Sequence, residues 1–211
     1  MEFVRITDAE SSTLAATKAA DVLRAGGIIL YPTDTIYGLG ADALSDNAVA
    51  KIYAIKGRDE GKPIHALVDT LETAERYAEI PEEIQEKIER MIPCPISFIF
   101  KKRSGLHTGI AKNIDTFGFR IPNNIFCLEL TKEFGGPITA TSANTSGILP
   151  ETSLEKILEQ LGDATKHIGL VIDAGVLPQS LPSTVVDITS GLPHVLREAA
   201  VSTKEIEKIF G

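Results

Sequence analysis

The residues in this chain best suited to chemistry are small hydroxyls and cations, and both come in short groups. Thr33, Asp34 and Thr35 follow the apolar run Ile29-Leu30-Tyr31, with Gly38 and Gly40 close behind. A second group runs from Thr139 to Ser146, and a third, Ser183-Thr184, stands before Val185-Val186. Thr, Ser, Asn and Gly are ordinary turn formers, so each group alone reads as a tight turn. Three such groups, each against an apolar stretch, point instead to a pocket floor. A small polar ligand needs hydroxyls and free backbone N–H groups at strand ends, because each buried polar atom must find a partner.

The cations concentrate first in Lys56-Gly57-Arg58-Asp59-Glu60-Gly61-Lys62-Pro63. This is not a P-loop. Its two glycines enclose three residues where that motif has four, and Pro63 stands where a hydroxyl should bind magnesium. Nor does Gly38-Leu39-Gly40 continue into a dinucleotide fingerprint, whose last glycine is missing. Two readings stay open: a solvated turn in which Asp59 and Glu60 offset the cations, or a loop gripping a polyphosphate. In the second, arginine offers planar paired donors and lysine a point charge. A further basic stretch holds Lys101, Lys102, Arg103, Lys112 and Arg120 against the single acid Asp115, and Arg197 extends it. The four histidines show no ligand spacing and are read as structural or surface groups, with no zinc site. Cys94 and Cys127 lie far apart and are expected to be buried free thiols.

Alternating helices and short strands must position these groups. Ser11 to Gly27 reads as a helix with Leu14, Val22 and Leu23 inward. Ser45 is a plausible N-cap for a helix carrying Val49, Ile52, Tyr53 and Ile55 on one face. Another helix starts near Pro81, at its first helical position, and one spans Ile125 to Gly135. Thr152 with Glu155, and Ser202 with Glu205, fit capping boxes. Strands are expected at Ile28–Tyr31, Ile64–Val68, Ile96–Lys102, Thr116–Ile121, Pro137–Ala143, Leu170–Asp173, Thr184–Ile188 and His194–Glu198. The 211 residues, 43% apolar and 24% charged, suit one α/β domain with a substantial core. A net charge of −8 argues against a broad nucleic-acid-binding surface. No run of about 18 apolar residues occurs and no signal-like start is seen, so a cytoplasmic protein is expected.

Six segments in this order resemble the YrdC/Sua5 family of threonylcarbamoyl-AMP synthases, over about residues 10 to 200. They are PTDTIYGLGADA, AIKGRDEGKP, TFGFRIPN, ATSANTSG, STVVD and VLRE. The resemblance implies a single YrdC-like domain over residues 1–211, a twisted mixed α/β sheet with flanking helices around a large concave cavity, and a C-terminal helix at about 202–210. It implies a nucleotidyltransferase reaction: L-threonine, bicarbonate (or CO2) and ATP, with Mg2+, give threonylcarbamoyl-adenylate and pyrophosphate. A separate transferase complex would then modify adenosine 37 of tRNA, with at most weak tRNA contact by this chain. Carried over by position, Thr35, Arg120, Ala140 and Ser183 would bind threonine. Lys56 and Arg58 would be catalytic, and would hold the nucleotide together with Lys62, Thr116, Ser142, Asn144 and Arg197. Cys94, Ser97, Ser180, Pro182 and Ala199 depart from the family pattern, which bears on fine geometry. A carbamoyl-adenylate-forming domain and an RNA-binding module with a basic cavity are the competing readings.

Overall fold

The computed structural model describes residues 1–59 and 62–211; Glu60 and Gly61, in the middle of the first basic loop, lie outside the described residues. The strands are β1 (Glu2–Arg5), β2 (Ile29–Tyr31), β3 (Gly38–Gly40), β4 (His65–Leu67) and β5 (Ile96–Lys101), then β6 (Thr116–Arg120), β7 (Ile138–Ser142), β8 (Leu170–Asp173), β9 (Thr184–Asp187) and β10 (His194–Arg197). The helices are α1 (Ala9–Arg24), α2 (Asp46–Lys56), α3 (Leu71–Glu75), α4 (Glu82–Glu89), α5 (Ile125–Phe134), α6 (Leu154–Leu161) and α7 (Thr203–Phe210). Among the described residues the strands make one mixed sheet in the order β1-β8-β2-β3-β7-β4-β6-β5-β9-β10. The pairs β1/β8, β2/β8, β4/β6 and β5/β9 are parallel, and the others are antiparallel.

Side chains of a strand alternate between faces, and the core divides accordingly. Leu30 and Ala66 join the larger apolar cluster, which includes α2 and α4, while Ile29, Tyr31 and Leu67 join a smaller one under α1 and α5. The α1 contact face is not the one expected. Leu14 is 67% exposed, and Ala15, Ala16, Ala19, Ala20 and Leu23 point inward. Small residues at helical spacing let α1 lie close against α5, and the larger Leu14 falls on the opposite side. The helix begins at the Asp8 cap, earlier than its serines suggested; Asp8 and Ser11 form a reciprocal capping box.

Other boundaries shift by one residue. Ser153, not Thr152, caps α6, while the Thr152 carbonyl accepts from the Leu177 N–H at 3.0 Å. Pro81 is the N-cap of α4 rather than its first residue. The Ser202/Glu205 capping box stands as expected. Cys94 needs no left-handed backbone, since among the described residues only glycines have positive φ. Both cysteines are free and buried.

The chain reverses after Tyr31, so the hydroxyl-rich stretch is a hairpin turn and β3 is its return strand. Glycine is required in β3 by close approach. A Cβ on Gly40 would stand 2.7 Å from Ile29 Cγ1, and one on Gly38 would stand 3.2 Å from the Tyr31 ring. These glycines open space for the side chains of β2 beside them.

Candidate functional site

Strand ends of β2, β4, β6 and β7, with the 180–183 loop and β10, enclose a cavity of about 230 Å³. That is smaller than the roughly 300–1,000 Å³ of pockets that engulf drug-sized ligands. Its enclosed part suits a small ligand, with a larger one extending through the open mouth.

Thr33 shapes the floor. Its hydroxyl accepts from the N–H groups of Thr35 (3.1 Å) and Ile36 (3.2 Å) and donates to the Ile36 carbonyl (2.7 Å). The resulting tight turn leaves Thr35 facing Arg120, whose Nη1 donates to the Thr35 hydroxyl at 3.1 Å. The other arm of Arg120 pairs with Asp34, and Asp34 also accepts from the Asn123 N–H at 3.2 Å. Arg120 is 5% exposed and its Nε has no partner.

Opposite, the hydroxyls of Ser97 on β5 and Ser183 lie 3.0 Å apart. Arg197 donates to the Ser183 carbonyl from Nη2 (2.7 Å) and Nε (3.2 Å). Ser180 donates to the Thr35 carbonyl, tying the two sides together. Arg58 completes the cationic wall; its Nη2 reaches the Pro63 carbonyl at 2.9 Å and its buried Nε is unpartnered. Burial first, then the Arg58 and Arg120 charges, push the Arg197 guanidinium below its ordinary value. Three cations therefore share one small volume, which an anionic ligand would relieve.

Thus Thr35, Arg58, Arg120, Ala140, Ser142, Ser183 and Arg197 share the cavity wall as expected. Four expected residues lie elsewhere. Lys56 is 1% exposed and sits behind the wall, where Nζ donates to the carbonyl of Ser142, to that of Asn144 (2.9 Å) and to Asn144 Oδ1 (3.2 Å). Asn144 is likewise turned inward, accepting from Lys56 and Ser142. These two residues hold the β7 exit turn rather than line the cavity. Thr116 begins β6, whereas Arg120 ends it, about 13 Å apart at strand rise. Lys62 is exposed outside the lining. The basic stretch also disperses: Lys102 bonds the Ala111 carbonyl, Arg103 that of Glu75, and Lys112 pairs with Asp46. Only Arg120 of that stretch lines the cavity.

Burial, followed by the Arg58 charge, pulls the Lys56 ammonium down to about 7 from the usual 10.5. The unfolded chain then holds this proton more tightly than the folded protein. Lys56 therefore contributes stability fully above pH 10.5, and that contribution is lost as pH falls toward 7. In denaturant unfolding followed across this range, Lys56→Met should gain on the wild type as pH drops. A constant difference between the two proteins would contradict the shift.

Ser97, in the sequence only a departure from the family pattern, and His65, in the sequence a structural histidine, both line the cavity wall. The signal for His65 was its place on β4, in phase with Leu67 and out of phase with Ala66. Among the described residues no three His, Cys, Asp or Glu side chains gather to hold a metal ion. Asp34, between the lining residues Thr33 and Thr35, is occupied by Arg120 and Asn123.

Comparison with known proteins assigns the family. The family model described as "Telomere recombination", the Sua5/YciO/YrdC domain, matches residues 21–199. A threonylcarbamoyl-AMP synthase of Pyrococcus abyssi is 36% identical over 194 residues, 92% of this chain and 56% of that protein. A Mycobacterium tuberculosis protein carrying that name provisionally is 34% identical over 205 residues, 97% of this chain and 93% of its own. The crystal structure of P. abyssi Sua5 complexed with L-threonine superposes with a TM-score of 0.88 at 34% identity, covering all of this chain and 60% of that one. No helix among the described residues is long and apolar enough to cross a membrane. The chain belongs to the Sua5/YciO/YrdC family.

Proposed function

We propose that this protein is a threonylcarbamoyl-AMP synthase, joining L-threonine, CO2 (or bicarbonate) and ATP into L-threonylcarbamoyl-adenylate and pyrophosphate. The observation that carries this reading is the convergence of three guanidiniums, Arg58, Arg120 and Arg197, with the Thr35, Ser97 and Ser183 hydroxyls on one cavity. Relatives named as this synthase, and a solved homologue holding L-threonine, support it.

The chemistry asks little covalent help from the protein. The threonine nitrogen bonds to CO2, and a carbamate oxygen displaces pyrophosphate from the α-phosphorus. Alignment and stabilisation of the phosphate charge supply most of the rate. Arg120, held by Asp34 against Thr35, would receive the threonine carboxylate. Arg58 and Arg197 would take phosphate oxygens, and Ser183 and the Ala140 backbone would shape the junction. Lys56 acts from behind, fixing the turn that presents Ser142. Magnesium would arrive on the triphosphate, with phosphates and water as its ligands. A walled cavity also shelters a carbamate that decomposes in water. The adenylate would pass to a transferase acting on tRNA.

The test is mass spectrometry of protein incubated with ATP, bicarbonate and threonine. The expected mixed anhydride should vanish when threonine is omitted. Product formed from ATP and carbamoyl phosphate, and not from threonine with bicarbonate, would assign the protein to carbamoyl-adenylate chemistry instead.

A further inference from the structure

Making a carbamate from an amine releases a proton, and the cavity offers few places for it. Its guanidiniums are already protonated, its alcohols and phenols are weak bases, and Asp34 is engaged by Arg120. Among the described lining residues the His65 imidazole is the remaining group with a free lone pair. It stands on β4 opposite Ala140 of β7 and against Gly118 of β6. A Cβ at Gly118 would meet His65 Cδ2 at 2.5 Å, so the glycine makes room for the ring. Neither ring nitrogen has a hydrogen-bond partner among the described residues, and neither is sealed from the cavity. Two residues further along the same strand face, about 7 Å at strand rise, Leu67 is paired with Arg120.

We propose that His65 is a catalytic residue of the carbamate step, taking the proton that the threonine nitrogen sheds as its bond to CO2 forms. The inference rests on the synthase reading above. The threonine ammonium first gives one proton to solvent; the freed amine lone pair then attacks the carbon of CO2, a C–N bond forms, and one C–O π pair moves onto oxygen. The nitrogen, now cationic, gives its proton to the imidazole lone pair, leaving carbamate and imidazolium. That imidazolium returns its proton to water after pyrophosphate leaves.

The charged and titratable groups around the ring are Arg58 after α2, Arg197 on β10, Arg120 with Asp34, and the Tyr31 and Tyr37 hydroxyls. Burial, then Arg197 and Arg58, push the imidazole down to about 4, so it is neutral at pH 7 with its lone pair open. A weak base is sufficient, because an N–H beside a new carboxylate is far more acidic than an ammonium. Triphosphate bound between the arginines would cancel their charge and strengthen the base once the nucleotide is in place.

The test compares His65→Gln with wild type in both directions. The forward reaction is pyrophosphate release from threonine, bicarbonate and ATP; the reverse is ATP formation from threonylcarbamoyl-AMP and pyrophosphate, which bypasses the proton transfer. The forward rate should fall about 10²-fold with the reverse rate near wild type, and added imidazole should restore forward activity to His65→Gly. Equal forward rates, or equal losses in both directions, would overturn the role of His65 alone. Wild type that forms no adenylate would overturn the synthase reading and the His65 role with it.

Discussion

Arg58→Ala should lower the rate of pyrophosphate release about 10²–10³-fold, the usual cost of removing one oriented donor from a developing charge. The side chain follows the α2 cap Gly57, whose left-handed backbone (φ 54°) ends the helix and turns the chain toward the cavity. Among the described residues its hydrogen-bond partner is the Pro63 carbonyl, and its Nε lies buried without a partner. A protein keeps such an orphan cation where a ligand will use it, since an unsatisfied buried donor costs about 1–3 kcal/mol. Loss of the side chain therefore should leave stability within about 1 kcal/mol of wild type, because the missing Pro63 bond and the removed orphan offset each other. Steady-state assays with denaturant unfolding on the same preparations check both halves. Unchanged pyrophosphate release would remove Arg58 from the catalytic wall.

Asp34→Ala should destabilise the fold by about 3–5 kcal/mol and raise the KM for threonine. The Asp34–Arg120 pair is sequestered, with side-chain exposures of 11% and 6%. Removing the carboxylate leaves a guanidinium uncompensated in a site already crowded by Arg58 and Arg197. The Asn123 N–H, just before the α5 cap, also loses its acceptor. Replacing both members, as Asp34→Ala with Arg120→Met, should recover part of the loss, because no lone charge then stays behind. Guanidinium or urea unfolding measures this cycle. A single-variant loss below about 1 kcal/mol would mean that the pair behaves like an exposed one.

Much of the architecture was legible because it is locally encoded. Apolar runs marked all the strands among the described residues except β1 and β3, and Ser45 and Ser202 announced helix starts by accepting from N–H groups three residues on. Two of the misses were places where a distant partner decided. Strand β3 reads as glycine-rich turn material until Ile29 and Tyr31 lie beside it. Leu14 looked like core until α5 selected the alanine face of α1.

What the sequence determined by itself is the supply of groups: hydroxyls at three strand ends, arginines spaced along the chain, and the α/β elements to carry them. What only tertiary structure decided is which of them meet. Lys56 and Arg58 are two residues apart, yet one is locked behind the wall by carbonyls and the other opens onto the cavity. Thr116 and Arg120 share a strand face but stand at its opposite ends. Periodicity tells on which face a side chain lies; it does not tell which end of the strand the neighbouring strands and loops will roof over. That depends on pairing across the sheet, where partners such as His65 and Ala140 come from segments far apart in the chain.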